Sequence, residues 1–328
     1  MLAFMALGMM VYLPALNGWA ADKYPSKPVQ IIVSRATGGA SDIAPRGIQP
    51  YLQKALGVSI VIINVPGAGG IVGTNRAYDS PADGYTLLQG SNSDLVRFRM
   101  FASQTRFGAE FLKAFIPIAA YVNEDVDVLC VNKSSPYKTF ADILAKAKKD
   151  GVNVGIGGAL GSNSHLVLLL LEKYFGGKWT IVPFQSSGES AASLLGNHID
   201  AGCFSTVAAD PNNFRLLAQD GAKRISPIPD VPTFVELGQK ALVVNNNFGF
   251  FVKVGTDPAI VKTLEAAVIK AANDPGYKKW AVDTKWPTGE PCDQKTWAEY
   301  LRVADQNAVT ILPILEKSLK ELQQGKSN

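Results

Sequence analysis

The groups in this chain best suited to chemistry are backbone amides. Three stretches set glycines beside small polar side chains: Ser34 to Asp42, Asn64 to Gly73, and Gly157 to His165. In the first, Thr37-Gly38-Gly39-Ala40-Ser41-Asp42, two glycines permit a sharp turn, and Ser41 or Asp42 can cap the helix that follows. Such a turn points unsatisfied N–H groups outward at a helix start, where they and the helix dipole favour negative charge. An ordinary strand-to-helix connection fits the same residues equally well. In the third stretch, Gly161-Ser162-Asn163-Ser164 offers three N-cap candidates ahead of the apolar run to Phe175, so a second helix N-terminus is open to an anion. A related turn, Ser186-Ser187-Gly188, precedes the short apolar segment Ala191 to Leu195.

Other chemistries find few residues to work with. The chain has two histidines, His165 and His198, and three cysteines, Cys130, Cys203 and Cys292, with no CxxC, HExxH, GxSxG or P-loop pattern. His165 falls at a capping position and His198 in a turn, which favours helix-end roles over a Ser/His/Asp triad. The middle glycine stretch places glycines at 67, 69 and 73, which is GxGxxxG and not the dinucleotide fingerprint. Pro66 precedes its first glycine, and Asp83 lies in an Asp83-Gly84 turn, so this loop is expected to pack against the first. No cofactor and no metal are expected. Lys and Arg total 32 against 28 Asp and Glu, a net charge of +4 without a long basic run, which gives no indication of a nucleic-acid partner. Cys130 and Cys203 sit in apolar runs and read as buried core; a disulfide between them has no support from spacing.

The elements that must position these loops alternate. Val29–Val33, Ser59–Ile63, Tyr85–Leu88, Val126–Val131, Val152–Ile156, Thr180–Phe184, Ile199–Phe204 and Phe214–Ala218 read as buried strands. Helical patterns separate several of them, so an α/β architecture with mostly parallel sheets is expected. Thr139-Phe140-Ala141-Asp142 has the form of a capping box, and Asp257-Pro258 supplies an N-cap and an N1 proline for a further helix. A last amphipathic helix is expected from about Gln294 to Leu322. With 328 residues, 47% of them hydrophobic and 18% charged, the chain has enough length for two cores. Crossings are expected at Ala119 to Glu124 and at Asn245-Asn246-Asn247. They divide the chain into a first lobe of residues 24–120 plus 248–328 and a second of 121–247.

Residues 1–20 contain no charged side chain and are apolar from Leu2 to Leu16, shorter than the roughly 20 residues needed to span a bilayer. Small residues at Gly18 and Ala20 suit cleavage after Ala20, so residues 1–20 read as a secretory signal, although the usual basic n-region is missing. The mature chain is then expected in the periplasm.

Several ordered stretches resemble one known family. Tyr24 to Val33 followed by Gly38-Gly39-Ala40-Ser41-Asp42 and Arg46 is similar to the opening of Bug-type periplasmic solute-binding proteins, the receptors of tripartite tricarboxylate transporters. The resemblance continues through Leu56-Gly57, Asn64 to Gly73, Pro81 to Leu88, Gly161 to Leu166, Val182 to Gly188, Leu194 to Gly196 with Ile199-Asp200, and Asp230 to Glu236. It implies a two-lobe periplasmic binding protein of type II-like fold, with two crossing strands joining the lobes. It also implies a carboxylate held between them by backbone amides, often through water. The first-lobe candidates are then Thr37, Gly38, Gly39, Ala40, Ser41 and Asp42, with Asp42 a cap or water-positioning group. The second-lobe candidates are Gly161, Ser162, Asn163, Ser164, Ser186, Ser187 and Gly188. The chain departs from the family at Ser34-Arg35, where an apolar Pro-Phe pair is usual. Arg35 either pairs with a second carboxylate of the ligand or points to solvent. The implied protein is a monomeric receptor and no enzyme, which delivers a small organic acid to the membrane subunits of a transporter. The alternatives are a receptor serving a signalling system and an exported enzyme acting on a carboxylate.

Overall fold

The computed structural model describes residues 24–324 apart from 159, 240, 241, 243, 245, 285 and 288. The signal reading of residues 1–20 lies outside the described residues.

In the first half of the chain, β1 (Val29–Val33), α1 (Ala40–Leu56), β2 (Ile60–Asn64), α2 (Ile71–Asp79), β3 (Thr86–Ser91), α3 (Ser93–Met100) and the single turn α4 (Phe111–Ala114) lead to β4 (Phe115–Asp125). Then follow β5 (Asp127–Asn132), α5 (Phe140–Lys149), β6 (Val152–Gly157), α6 (Asn163–Phe175), β7 (Trp179–Phe184), α7 (Ser187–Leu195), β8 (Ala201–Ser205) and β9 (Phe214–Gln219). The chain closes with β10 (Asn246–Lys253), α8 (Pro258–Ala272), α9 (Pro275–Thr284) and α10 (Gln294–Gln324).

The strands form two five-stranded sheets, ordered β2-β1-β3-β10-β4 and β7-β6-β8-β5-β9. In the first, β1 pairs in parallel with β2 and β3, and β10 pairs antiparallel with both β3 and β4. In the second, β6 pairs in parallel with β7 and β8, and β5 pairs antiparallel with β8 and β9. Each sheet therefore has four strands running one way and one reversed, β10 in the first and β5 in the second. The parallel strands carry continuous apolar runs such as Val29–Val33 because helices cover both faces.

The capping box at Thr139 forms: Thr139 Oγ1 accepts from the Asp142 amide at 3.2 Å and the Asp142 carboxylate accepts from the Thr139 amide at 2.9 Å. Asp257 caps α8 through the Ala259 amide, with Pro258 at the first helical position. Cys130 and Cys203 are free thiols. Cys130 lies opposite Gly202, and Cys203 opposite Leu129, so the two side chains leave opposite faces of the sheet and meet separate cores. α10 bridges the two halves. Its Trp297 and Leu301 pack with first-sheet residues Ile32 and Phe251, while Ala308 and Leu315 join the core under the second sheet. Arg99 of α3 clamps it further by donating to both oxygens of Asp305 at 2.7 and 2.5 Å.

The chain passes between the sheets at Asp125-Val126-Asp127, where three carboxyl groups are buried together. Asp127 accepts from Ser164 Oγ at 2.7 Å, Asp220 accepts from Asn163 Nδ2 at 2.8 Å and from the Asp127 amide at 3.0 Å, and Asp125 accepts from Ser205 Oγ at 3.1 Å. Burial, reinforced by the Asp127 carboxylate, pushes Asp125 up to about 8, and burial raises Asp127 and Asp220 as well. A carboxyl group whose value is higher in the folded chain than the unfolded one stabilises the fold fully below about pH 4, and that contribution is lost as pH rises towards 8. Asp125→Asn, which stays neutral, should therefore melt close to wild type near pH 4 and increasingly above it as pH rises to 8. Parallel melting curves with no widening gap would contradict this.

Candidate functional site

The first glycine loop leaves β1 at Val33 and enters α1 at Ala40. Gly38 has φ +87°, a conformation that side chains disfavour, and no described atom lies within 4 Å of where a Cβ would stand at Gly38 or Gly39. These glycines serve backbone geometry, and the space above them is open. Gly39 is the N-cap of α1 and no side chain caps it, contrary to the cap expected from Ser41 or Asp42. Asp42 works one step earlier: its Oδ2 accepts from the Gly38 amide at 3.0 Å, while Oδ1 accepts from Arg46 Nε at 2.9 Å and Asn64 Nδ2 at 2.8 Å. Burial pushes this carboxyl up, but the bonds from Arg46, Gly38 and Asn64 outweigh it and hold the group below the usual carboxylate range. Asp42 is thus committed to shaping the loop. Thr37 and Gly38 are exposed at its rim, and Gly39, Ala40 and Ser41 are half-buried.

The middle loop packs on the first, as its glycine pattern predicts. Asn64 Nδ2 donates to the Arg35 carbonyl at 3.1 Å, and a Cβ at Gly73 would strike the Val65 carbonyl and Ser34.

The third loop enters α6 with Ser162 at the N-cap position. Its side chain makes no cap bond, and Ser162 Oγ is buried without a partner among the described residues. Ser164 and Asn163 turn inward to the Asp127 and Asp220 carboxyl groups, and the Gly161 amide donates to His165 Nδ1 at 2.9 Å. Burial lowers His165 to about 4, so at neutral pH the ring is uncharged and accepts this bond, a structural role at a helix end. The neighbouring turn is braced similarly: Ser186 caps α7 through the Glu189 amide, and Ser187 sits against Gly157. Gly188 is exposed in the first turn of α7.

Arg35 is a quarter exposed, and its guanidinium is held by Asp94 on α3 at 2.6 Å and by Ser34 Oγ at 3.1 Å. Asp94 also takes Nη1 of Arg97, and the Ser91 amide donates to its other oxygen at 2.9 Å. Arg97 then reaches both halves of the molecule. Its Cδ lies 3.2 Å from a Cβ position at Gly69, and its Cβ lies 4.0 Å from one at Gly161, where Met100 is closer still. A chain of hydrogen bonds and ion pairs thus runs from the Gly38 loop through Asp42, Asn64, Arg35 and Asp94 to Arg97, whose stem lies near Gly161 in the second half. Sequence reasoning missed Asp94, Arg97 and the buried Asp125, Asp127 and Asp220. The only available signal was an acid and a base three residues apart in Asp94-Leu95-Val96-Arg97, which reads as a solvated helix pair.

Comparison with known proteins identifies the family. Protein BugT of Bordetella pertussis is 31% identical over 257 residues, covering 77% of this chain and 78% of BugT. A TctC solute-binding protein from Polaromonas has 27% identity and a TM-score of 0.69, covering 90% of this chain and 99% of that one. MatC from Rhodopseudomonas palustris, solved with bound malate, has 25% identity and a TM-score of 0.75, covering 89% of this chain and all of its own. Residues 44–307 match the family described as Tripartite tricarboxylate transporter family receptor, and together with the BugT similarity this shows that the chain belongs to that family of solute-binding receptors.

Proposed function

We propose that this receptor works in the periplasm, holds a small organic acid between its two halves, releases it unchanged, and delivers it to the membrane subunits of a tripartite tricarboxylate transporter. The observation that carries the reading is the pair of helix starts, α1 after Gly38-Gly39 and α6 after Gly161-Ser162, neither of which has a side-chain cap. Uncapped first-turn amides are what a carboxylate completes. Thr37, Gly39, Ala40 and Ser41 in the first loop and Ser162 to Ser164 in the second supply those amides, while the Gly38 and Gly161 amides are taken by Asp42 and His165. Asp42, Ser186 and Ser187 fix loop shape, and the malate bound to MatC is a ligand of the same chemistry. Capture proceeds by closure: an acid that touches both loops binds the closed arrangement better and shifts the population towards it.

Micromolar binding corresponds to about −8 kcal/mol. A helix end supplies roughly 0.3–1 kcal/mol, up to about 2 when partly buried, so direct hydrogen bonds and desolvation between the halves provide the larger share.

A thermal-shift panel of mono-, di- and tricarboxylates, amino acids and aromatic acids tests the assignment. An acid at about 100 times its dissociation constant stabilises the protein by about 2.7 kcal/mol, so at least one carboxylate should raise the melting temperature clearly. A flat response to every carboxylate would contradict the reading. Asp42→Asn removes charge-assisted bonds to Gly38 and Arg46, and should cost about 1–3 kcal/mol of stability and weaken binding of whichever acid responds. Wild-type melting and wild-type affinity together in Asp42→Asn would show that the carboxylate does not shape the loop.

A further inference from the structure

We infer that Arg97 is the specificity-determining residue of this site and takes a second anionic group on the ligand, so that the receptor selects dianions such as dicarboxylates over monocarboxylates. The inference rests on the carboxylate-receptor reading above and deepens it. Its basis is a charge count. Two guanidiniums, Arg35 and Arg97, converge on one carboxylate, Asp94. That carboxylate is also saturated: one oxygen takes both arginines, and the other accepts from the amide and hydroxyl of Ser91. One positive charge is left over, in a place where charge is costly.

Of the two, Arg97 carries the deficit. Arg35 is a quarter exposed and can be screened by water, whereas Arg97 is 3% exposed. A guanidinium removed from water needs both charge compensation and acceptors for its donors. Asp94 occupies Nη1, and among the described residues nothing accepts from the buried Nε. A guanidinium edge in this state matches a carboxylate, whose two oxygens accept from parallel N–H donors.

The position fits a ligand group and not a structural counter-ion. The Arg97 stem lies between Gly69 of the first half and Gly161 of the second, and Gly161 opens directly into the Ser162-Asn163-Ser164 start of α6. A ligand with one carboxylate on the uncapped helix starts can therefore extend a second anionic group towards Nε of Arg97. A monocarboxylate would leave that charge as it stands in the empty protein and gain nothing from it.

The test is calorimetric titration of wild type, Arg97→Met and Arg97→Lys with malate, adipate and the monomethyl ester of each. Melting of each variant without ligand reports its folding. Wild type should bind the better diacid at least about tenfold more tightly than its monoester. Arg97→Met should lose that preference, its diacid affinity falling to about that of the monoester for the same variant, and Arg97→Lys should recover only part of it, because a lysine ammonium lacks the planar fork. Equal affinity of wild type for a diacid and its monoester would overturn the inference without any variant, as would a diacid preference undiminished in folded Arg97→Met. If wild type bound no organic acid at all, the receptor reading would fall and this inference with it, so the two failures are distinguishable.

Discussion

The tightest constraint on the chain is its step from one sheet to the other: β4, paired antiparallel with β10, leaves the first sheet at Asp125, and β5 begins in the second at Asp127. Only Val126 separates them. β4 forms the edge of the first sheet, with β10 its reversed strand, and β5 provides the reversed strand of the second. A polypeptide that changes sheets in one residue cannot hide its backbone in either core, and the crossing gathers Asp125, Asp127 and Asp220 with Ser164, Asn163 and Ser205 around it. The first turn of α6 is thereby tied to the crossing itself. The loop proposed to present its amides to a ligand is thus held by the joint on which the proposed closure would depend.

On the proposed reading, anion recognition is divided between backbone and side chain. Amides at the starts of α1 and α6 supply directionality, and side chains such as Asp42 and His165 shape the loops that carry them. Because helix ends are weak individually, the larger electrostatic lever is the Arg35–Asp94–Arg97 group. Its excess positive charge is local, which is why a net charge of only +4 over 328 residues says so little about what the protein binds. α10 has a matching mechanical role, since it packs on both halves and is fastened to α3 through Arg99 and Asp305.

Much of the scaffold was legible in the sequence because its signals are local. Val29–Val33 is an uninterrupted apolar run and forms β1 with those bounds; Thr139 and Asp142 form the capping box their spacing implies; the glycine turns lie where strands give way to helices. What was not legible depends on partners distant in the chain. Asn246 and Asn247 give β10 a polar start that hides the strand following the expected crossing, and only pairing with β3 and β4 reveals it as an inner strand. Asp125, Asp127 and Asp220 look like surface acids until residues up to 95 positions apart are brought together. Arg35 was visible as a departure, but the Asp94 that holds it and the Arg97 that shares Asp94 have no pattern marking them as buried. Gly39 took the cap position that Ser41 and Asp42 were expected to fill, because the Asp42 carboxylate turns back to the Gly38 amide.

The central claim is that one carboxylate is gripped from both halves by the uncapped starts of α1 and α6. A crystal structure of the protein grown with the dicarboxylate that stabilises it most tests this directly. The account predicts a ligand carboxylate within hydrogen-bonding distance of amides in the Gly38–Asp42 loop and of the Ser162–Ser164 turn together. A ligand bound to one half only, or one whose carboxylates lie away from both turns, would contradict it.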